Sequence, residues 1–279
     1  MHAVGRRNGF LFTTIFSLTV LFLSVMPQSA NAQLALLDKK KSTTCVDKEF
    51  TVMAHMVRDT FQNIGTSVAN VEAALELVNL WFEPICVRFV LAETDTVDNF
   101  QYSIPFNFNE TEELWNNHNE ENRINLYLVT DVSLISPKPV FATEDGILQR
   151  ERGGILINSG ALNGNPIWLV NAFGTYCGLK DTNTDFLTQI VTDPNCEFTG
   201  DEICDTPADP LDPAAPLGGF GTYFDAECRF IFTGVDTNGE FYLTQTGNLM
   251  SRYPTACWCG LTFGQFEHMA EVIARSPLW

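Results

Sequence analysis

The sequence predicts an α/β protein with a twisted mixed sheet, followed by an irregular, disulfide-rich region that ends in a helix. Three observations predict this fold class. Strand-like segments and an amphipathic helix fill the first half of the chain, and a further helix ends in a glycine turn near residue 178. Beyond that turn Asp, Pro, Gly, Thr and Cys dominate, until the capping box Thr262-x-x-Gln265 begins a last amphipathic helix.

The first half carries the regular elements. Phe50 to Val57 places alternate apolar residues on one face, as a half-buried strand requires, and leaves His55 on the other face as a packed structural residue. Residues 67–82 repeat apolar side chains at helical spacing, and Pro84 stops that helix. Further strands are predicted at residues 86–91, 96–104, 123–132 and 153–158, a short helix within 107–122, and the central helix at about 166–177.

The first 32 residues have the pattern of a secretory signal peptide. Arg6 and Arg7 precede an apolar run from Phe10 to Met26, and Ala30-Asn31-Ala32 is a small-residue cleavage motif. The alternative is a membrane anchor, although the run is at the short limit for a span. We therefore expect a secreted protein, extracellular or periplasmic, with no membrane span after signal removal.

Removing those 32 of 279 residues would leave 247, which is enough for one large domain. We expect an N-terminal arm at 33–47 and a domain at 48–279, with subdomains at about 48–180 and 181–279. The formal net charge of −18 argues against nucleic acid and anionic membranes as partners. All eight cysteines follow the predicted signal, and their even number indicates disulfides whose pairing stays open.

The central helix carries a degenerate metal-binding pattern. Asn171 and Thr175 stand four residues apart on one helix face, Gly178 can end the helix in a left-handed conformation, and Asp181 follows. This is the spacing of the zinc signature H-E-x-x-H-x-x-G-x-x-H. The glycine is present, but Asn171, Thr175 and Asp181 replace the histidines and Ala172 replaces the glutamate.

Three later segments give that pattern a context: residues 200–207 (GDEICDTP), 248–253 (NLMSRY) and 257–265 (CWCGLTFGQ). Together with residues 173–179 they resemble the pappalysin family of metzincin zinc peptidases. That family continues its zinc helix with G-D-x-x-x-D-T-P, the Met-turn N-x-M-S-Y and C-x-x-x-F-T-x-x-Q. The resemblance covers roughly residues 48–275. It implies a metzincin-like fold with a backing helix and an active-site helix on the sheet.

The resemblance also implies which functions are missing. In the family three imidazoles hold zinc, whereas the oxygens of Asn171, Thr175 and Asp181 are a poor donor set for that metal. Ala172 stands at the general base, and a methyl group cannot accept a proton. Arg252 replaces the tyrosine that follows the Met-turn serine. It could pair with Asp181, or it could be a solvated side chain.

Other positions of the family pattern are retained. Met250 matches the residue that forms the floor under the site. Asp201, Asp205 and Thr206 match a motif that resembles a calcium-binding loop, which makes calcium a candidate cofactor, with a hydrogen-bonded turn as the alternative. Cys177, on the central helix, is interpreted as a small buried apolar residue.

The leading interpretation is a secreted pappalysin-like homologue without zinc or hydrolytic activity. It would bind a peptide or protein in the cleft between the subdomains, where a peptide can add as a strand to a sheet edge. The first alternative is an active secreted zinc metalloendopeptidase of the same family with unorthodox ligands. The second is a structural component whose cleft is unused.

Overall fold

A computed structural model describes residues 42–215 and 219–278 of the chain. The predicted signal peptide at 1–32 and most of the predicted arm at 33–47 lie outside the described residues. The strands are β1 (Lys48–Val57), β2 (Val87–Val97), β3 (Ile124–Val129), β4 (Val140–Ala142) and β5 (Ile155–Asn158). The helices are α1 (Val68–Phe82), α2 (Phe108–His118), α3 (Ser159–Gly164), α4 (Ile167–Tyr176) and α5 (Phe263–Ala274).

The five strands form one mixed sheet in the order β2-β1-β3-β5-β4. Strand β1 pairs in parallel with β2 and β3, and β3 pairs in parallel with β5. Strand β4 lies at the edge and runs antiparallel to β5. The predicted α/β fold class, with its mixed sheet and irregular second half, is therefore confirmed.

The two faces of the sheet bury different helices. One face of β1, with Phe50, Val52, Ala54 and Met56, shares a core with α1, α4 and α5. The opposite face packs through Tyr127 and its neighbours against α2. This alternation is the period-2 pattern that the sequence of β1 predicts.

One predicted strand is wrong. Strand β2 continues to Val97, so the first residues of the predicted strand at 96–104 belong to β2 instead. Phe100–Ser103 then form a turn of 3₁₀-helix, because the Asn99 side chain caps it by accepting from the backbone N–H of Gln101 at 3.1 Å. Asn and Asp favour such local caps over extended structure. Strand β4 and helix α3 have no counterpart among the elements predicted from the sequence.

The second half of the chain contains few helices and strands. Disulfides join Cys196 to Cys204 and Cys228 to Cys257, and a third joins Cys45 to Cys86 in the first half. The predicted capping box starts α5, with Thr262 and Gln265 each bonding the other's backbone. None of the helices in the described ranges is both long and apolar enough to cross a membrane.

Candidate functional site

The turn after α4 explains its glycine. Gly178 has a φ of +99°, a conformation that residues with a side chain rarely adopt. A Cβ there would also lie 2.9 Å from both Asp145 Oδ1 and Val272 Cγ2. The chain can therefore turn beneath α5 only with glycine at this position, and the turn leads Asp181 back towards α4.

Residues 248–253, the segment that resembles the Met-turn, lie directly against α4. Met250 is fully buried, and a Cβ on Gly174 would come within 2.7 Å of its Sδ. The Asn171 amide donates to Leu249 O at 3.0 Å, which ties the helix to the turn. Asn248 and Gln265 exchange amide hydrogen bonds behind it, so the Met-turn is also fixed to α5.

A cleft of about 430 Å³ opens between α4, β4 and the second half of the chain. The positions that the resemblance assigns to zinc ligands and base all line it, and so does Arg252. The full lining is Ser136, Pro137, Lys138, Val140, Phe141, Ala142, Glu144, Asn171, Ala172, Thr175, Leu179, Lys180, Asp181, Thr184 and Arg252. The structure thus brings together the residues that the sequence placed in one site.

A lysine that the sequence analysis missed lies among the predicted ligand positions. Lys138 Nζ donates to Asp181 Oδ1 at 2.5 Å and to Asn171 Oδ1 at 3.2 Å. The Lys138 side chain is only 13% exposed and that of Asp181 27%. The one local signal was its setting between Pro137 and Pro139, which restrict the backbone on both sides.

These residues do not fit a zinc ion. Two of the three ligand positions already hold an ammonium group by hydrogen bonds, and zinc prefers nitrogen and sulfur donors over neutral oxygens. Thr175 directs its hydroxyl back to Asn171 O, at 3.5 Å. Ala172, at the position of the general base, is buried and carries no proton acceptor.

The suggested pair between Arg252 and Asp181 is wrong. Asp181 pairs with Lys138 instead, because the lysine reaches it from the segment before β4. Within residues 42–215 and 219–278, Arg252 takes part in no recorded ion pair or hydrogen bond, although it lines the cleft and is half-buried. The next residue, Tyr253, points away from the cleft and donates to the buried carboxylate of Asp209 at 3.1 Å.

The three residues of the predicted calcium loop make different contacts. Asp205 Oδ2 accepts from the backbone N–H of Gly264 at 2.7 Å and so holds the start of α5. Asp201 and Thr206 instead line a polar cavity of about 270 Å³. Asp205 is therefore placed as an anchor of the last helix, where acidic residues are favoured by the helix dipole.

Asp201 is 8% exposed, and its Oδ1 accepts from the backbone N–H of Ile203 at 3.1 Å. Its Oδ2 and the Thr206 hydroxyl lie close to each other and bond no other group of the described residues. Burial raises the pKa of Asp201 to about 7. Buried oxygens without partners are costly, so they indicate a missing ligand or bound water. A hard cation accepts this kind of oxygen donor.

Both unpaired cysteines are poor nucleophiles. Cys177 is fully buried beneath the cleft, and burial raises the pKa of its thiol. Cys259 is partly exposed, and burial raises its pKa as well. Neither thiol is activated in the way that nucleophilic catalysis requires.

His55 is a structural residue of the sheet. Its ring is 2% exposed and stacks on Tyr127 at 4.6 Å between centroids. The two ring nitrogens lie 2.9 Å from Asp95 Oδ1 and 2.8 Å from Asn125 Oδ1. With both nitrogens engaged, the imidazole has no free position for a metal or substrate.

The fold has known counterparts among solved structures. Mirolysin of Tannerella forsythia in complex with a cleaved peptide aligns with a TM-score of 0.52 and 15% identity, covering 84% of this chain and 97% of the mirolysin chain. A mirolysin complex with a small compound gives a TM-score of 0.54 at the same identity and coverage. No protein-family model and no curated protein sequence matches the chain.

Mirolysin is a metzincin-like metallopeptidase, and identity this low shows the fold alone. The mixed sheet, the central helix with its glycine turn and the irregular second half agree with that likeness. We conclude that this chain has a metallopeptidase-like fold.

Proposed function

We propose that this chain is a secreted, pappalysin-like peptidase homologue that does not hydrolyse peptides and acts by binding one in its cleft. One observation carries the proposal: the Lys138 ammonium lies within hydrogen-bond distance of both Asp181 and Asn171, two of the three ligand positions. The lysine supplies there the positive charge that a metal supplies in a metallopeptidase.

An ammonium group cannot replace the chemistry of a metal. A bound zinc ion lowers the pKa of its water towards ~7 and polarises the scissile carbonyl. The Lys138 ammonium cannot coordinate a water or a carbonyl oxygen as a metal ion does, and Asp181 already neutralises its charge. The other carboxylate of the cleft, Glu144, faces Lys180 at 4.0 Å. With Ala172 at the position of the base, none of the described residues that line the cleft is placed to activate water.

The peptide site would be the free edge of β4. Asn158 N–H donates to Pro139 O and Thr143 N–H donates to Gly154 O, so the odd-numbered residues of this segment face β5. In an antiparallel pair the alternate residues direct their backbone groups outwards, which here means Val140 and Ala142. Both residues line the cleft. The Val140 carbonyl already accepts from the Ser136 hydroxyl at 2.7 Å, so a peptide would pair mainly with Ala142. An extended peptide could add there as a further strand.

The binding test uses a randomised pentapeptide library passed over the immobilised protein, with retained peptides counted by mass spectrometry. We expect wild type to retain peptides and Ala142→Pro, which removes an outward N–H, to retain at least tenfold fewer. Thermal unfolding would check that the variant is folded. Absence of retention by wild type would refute the peptide-binding function and favour a structural role.

Secretion is supported by three disulfides, which are typical of proteins that fold in oxidising compartments. It is tested by N-terminal sequencing of the protein recovered from the medium of expressing cells. We expect the chain to start at Gln33. An intact N-terminus retained in the membrane fraction would contradict it.

We also propose a calcium ion at Asp201 and Thr206, because their buried oxygens lie side by side and bond no other group of the described residues. Calcium should raise the unfolding temperature of wild type and leave Asp201→Asn unchanged. Asp193→Asn is the control, because Asp193 lines the same cavity, is half-buried and has its carboxylate bonded to Asn195 N–H and to the Thr199 hydroxyl. Equal stabilisation of wild type and Asp201→Asn would place the ion elsewhere.

The alternative of an active enzyme with unorthodox ligands requires Lys138 to leave the site. A rebuilt motif tests this, with Asn171→His, Ala172→Glu, Thr175→His and Asp181→His made in the presence of Lys138 and again with Lys138→Met. We expect tight zinc binding only in the second variant, because the ammonium repels the metal. Equal zinc affinity in both would show that Lys138 does not control the site.

A further inference from the structure

Arg252 occupies the junction of two cavities. The main cleft of about 430 Å³ continues into a smaller cavity of about 210 Å³, which Trp168, Leu211 and Asp212 line. Asp212 forms no ion pair with Arg252 in the described ranges, and its Oδ1 accepts from the backbone N–H of Ala214 at 2.8 Å. Pro137, Lys138 and Arg252 line both cavities. A chain that entered the cleft along β4 would therefore meet Arg252 where it passes from one cavity into the other.

The other cations of the cleft are neutralised. Lys138 pairs with Asp181 at 2.5 Å, and Lys180 pairs with Glu202 at 2.7 Å. Arg252 alone, among the cations lining the cleft, has no recorded acidic partner in the described ranges. A half-buried guanidinium without a partner has lost part of its hydration and has gained no hydrogen bond in return.

The backbone around Arg252 is held firmly. Ser251 is fully buried, and its N–H donates to Asn248 O at 3.0 Å. On the other side Tyr253 is buried and bonded to Asp209. Because its neighbours are fixed, Arg252 presents its side chain to the cleft from a constant position, and this lowers the entropy cost of binding.

We propose that Arg252 is the anchor for a carboxylate of the bound peptide. The proposal rests on the proposed peptide-binding function and names the chemistry that the ligand must carry. A guanidinium donates two parallel N–H groups to a carboxylate, which gives both affinity and direction. The carboxylate is either the peptide's C-terminus or the side chain of an Asp or Glu.

Three pools of the pentapeptide library distinguish a C-terminal carboxylate from an Asp or Glu side chain. The first has free C-termini and no Asp or Glu, the second has amidated C-termini with Asp and Glu included, and the third is amidated and lacks both. Wild type, Arg252→Met and Arg252→Lys would be compared, with Arg88→Met as a matched control. Arg88 lies on β2, outside the cleft, with a side chain 66% exposed.

We expect wild type to retain at least one carboxylate pool and to retain the third pool poorly. Arg252→Met should lose about ten- to a hundredfold of that retention, the value of a charge-assisted hydrogen-bonded pair. Arg252→Lys should recover part of it, and Arg88→Met should match wild type. The pool that responds identifies the source of the carboxylate.

Two results would overturn the anchor. Retention of all three pools alike, unchanged in Arg252→Met, would leave the peptide-binding function standing and remove Arg252 from it. No retention of any pool by wild type would remove both. Near-UV circular dichroism of Arg252→Met and Arg252→Lys would show that a loss of binding is not a loss of folding.

Discussion

The ion pair of Lys138 with Asp181 should be a measurable part of the stability of this protein. We predict that Lys138→Met lowers the free energy of unfolding by about 2 kcal/mol. Breaking a fully buried ion pair costs about 3–5 kcal/mol because one charge stays buried without a partner. The two side chains here are 13% and 27% exposed and face an open cleft, so solvent screening reduces that figure.

The matched control is Lys180→Met. Lys180 pairs with Glu202 at a similar distance, 2.7 Å, but the two side chains are 29% and 41% exposed. A pair of this kind contributes about 0.5 kcal/mol. Both variants replace a lysine by the same apolar side chain at the same cleft, so the difference between them reports the environment of the pair.

The assay is urea unfolding at low salt with the disulfides intact, read by tryptophan fluorescence, because an uncharged denaturant does not screen the ion pairs. For a domain of this size a loss of about 2 kcal/mol corresponds to a fall in Tm of about 4–8 °C. A double-mutant cycle with Asp181→Asn isolates the pair, and we expect a coupling energy of about 1 kcal/mol or more. A coupling energy of zero, or equal losses of unfolding free energy in Lys138→Met and Lys180→Met, would show that burial does not strengthen the ion pair of Lys138 with Asp181.

Three further predictions concern other parts of the molecule. Burial raises the folded-state pKa of Asp201 from 3.8 to about 7, so its contribution to stability is complete below about pH 4 and is lost as the pH rises to about 7. In the presence of a chelator, Asp201→Asn should remove this loss and raise the unfolding free energy at pH 8 by at most about 4 kcal/mol. A variant with the same dependence of stability on pH as wild type would contradict the prediction. Gly178→Ala should lower the unfolding free energy by about 2 kcal/mol or more. The control Gly239→Ala should lower it by about 1 kcal/mol, because Gly239 also has a positive φ but no atom lies within 4 Å of an added Cβ. Equal losses in the two variants would show that the contacts around Gly178 are unimportant. In native protein a thiol reagent should modify Cys259 and reach Cys177 only on unfolding; rapid modification of Cys177 would contradict its complete burial.

The fold and the centre of the site could be predicted because their signals are local. The alternation of β1, the capping box at Thr262 and Gln265, and the spacing from Asn171 to Gly178 each lie within a few residues. The Met-turn could be placed because its segment keeps the order and spacing of a larger pattern. These elements appear in the structure where the sequence put them.

The parts that failed depend on contacts between distant residues. Lys138 reaches Asp181 across 43 positions, and nothing near either residue indicates the pair. The calcium loop at Asp201, Asp205 and Thr206 stays a prediction, but the bond from Gly264 N–H to Asp205, 59 positions away, has no signal near either residue. A motif gives the order of side chains and not the directions in which they point. The strand at 96–104 failed because a local cap by Asn99 outweighed β propensity.

We propose that Lys138 holds the place of the metal and that the cleft hydrolyses no peptide. The most direct test purifies the mature chain from zinc-containing medium and measures bound metal by elemental analysis beside a broad peptidase assay. We predict less than stoichiometric zinc and no cleavage that a chelator abolishes. One zinc per chain with chelator-sensitive cleavage would show that the cleft is an active metallopeptidase site.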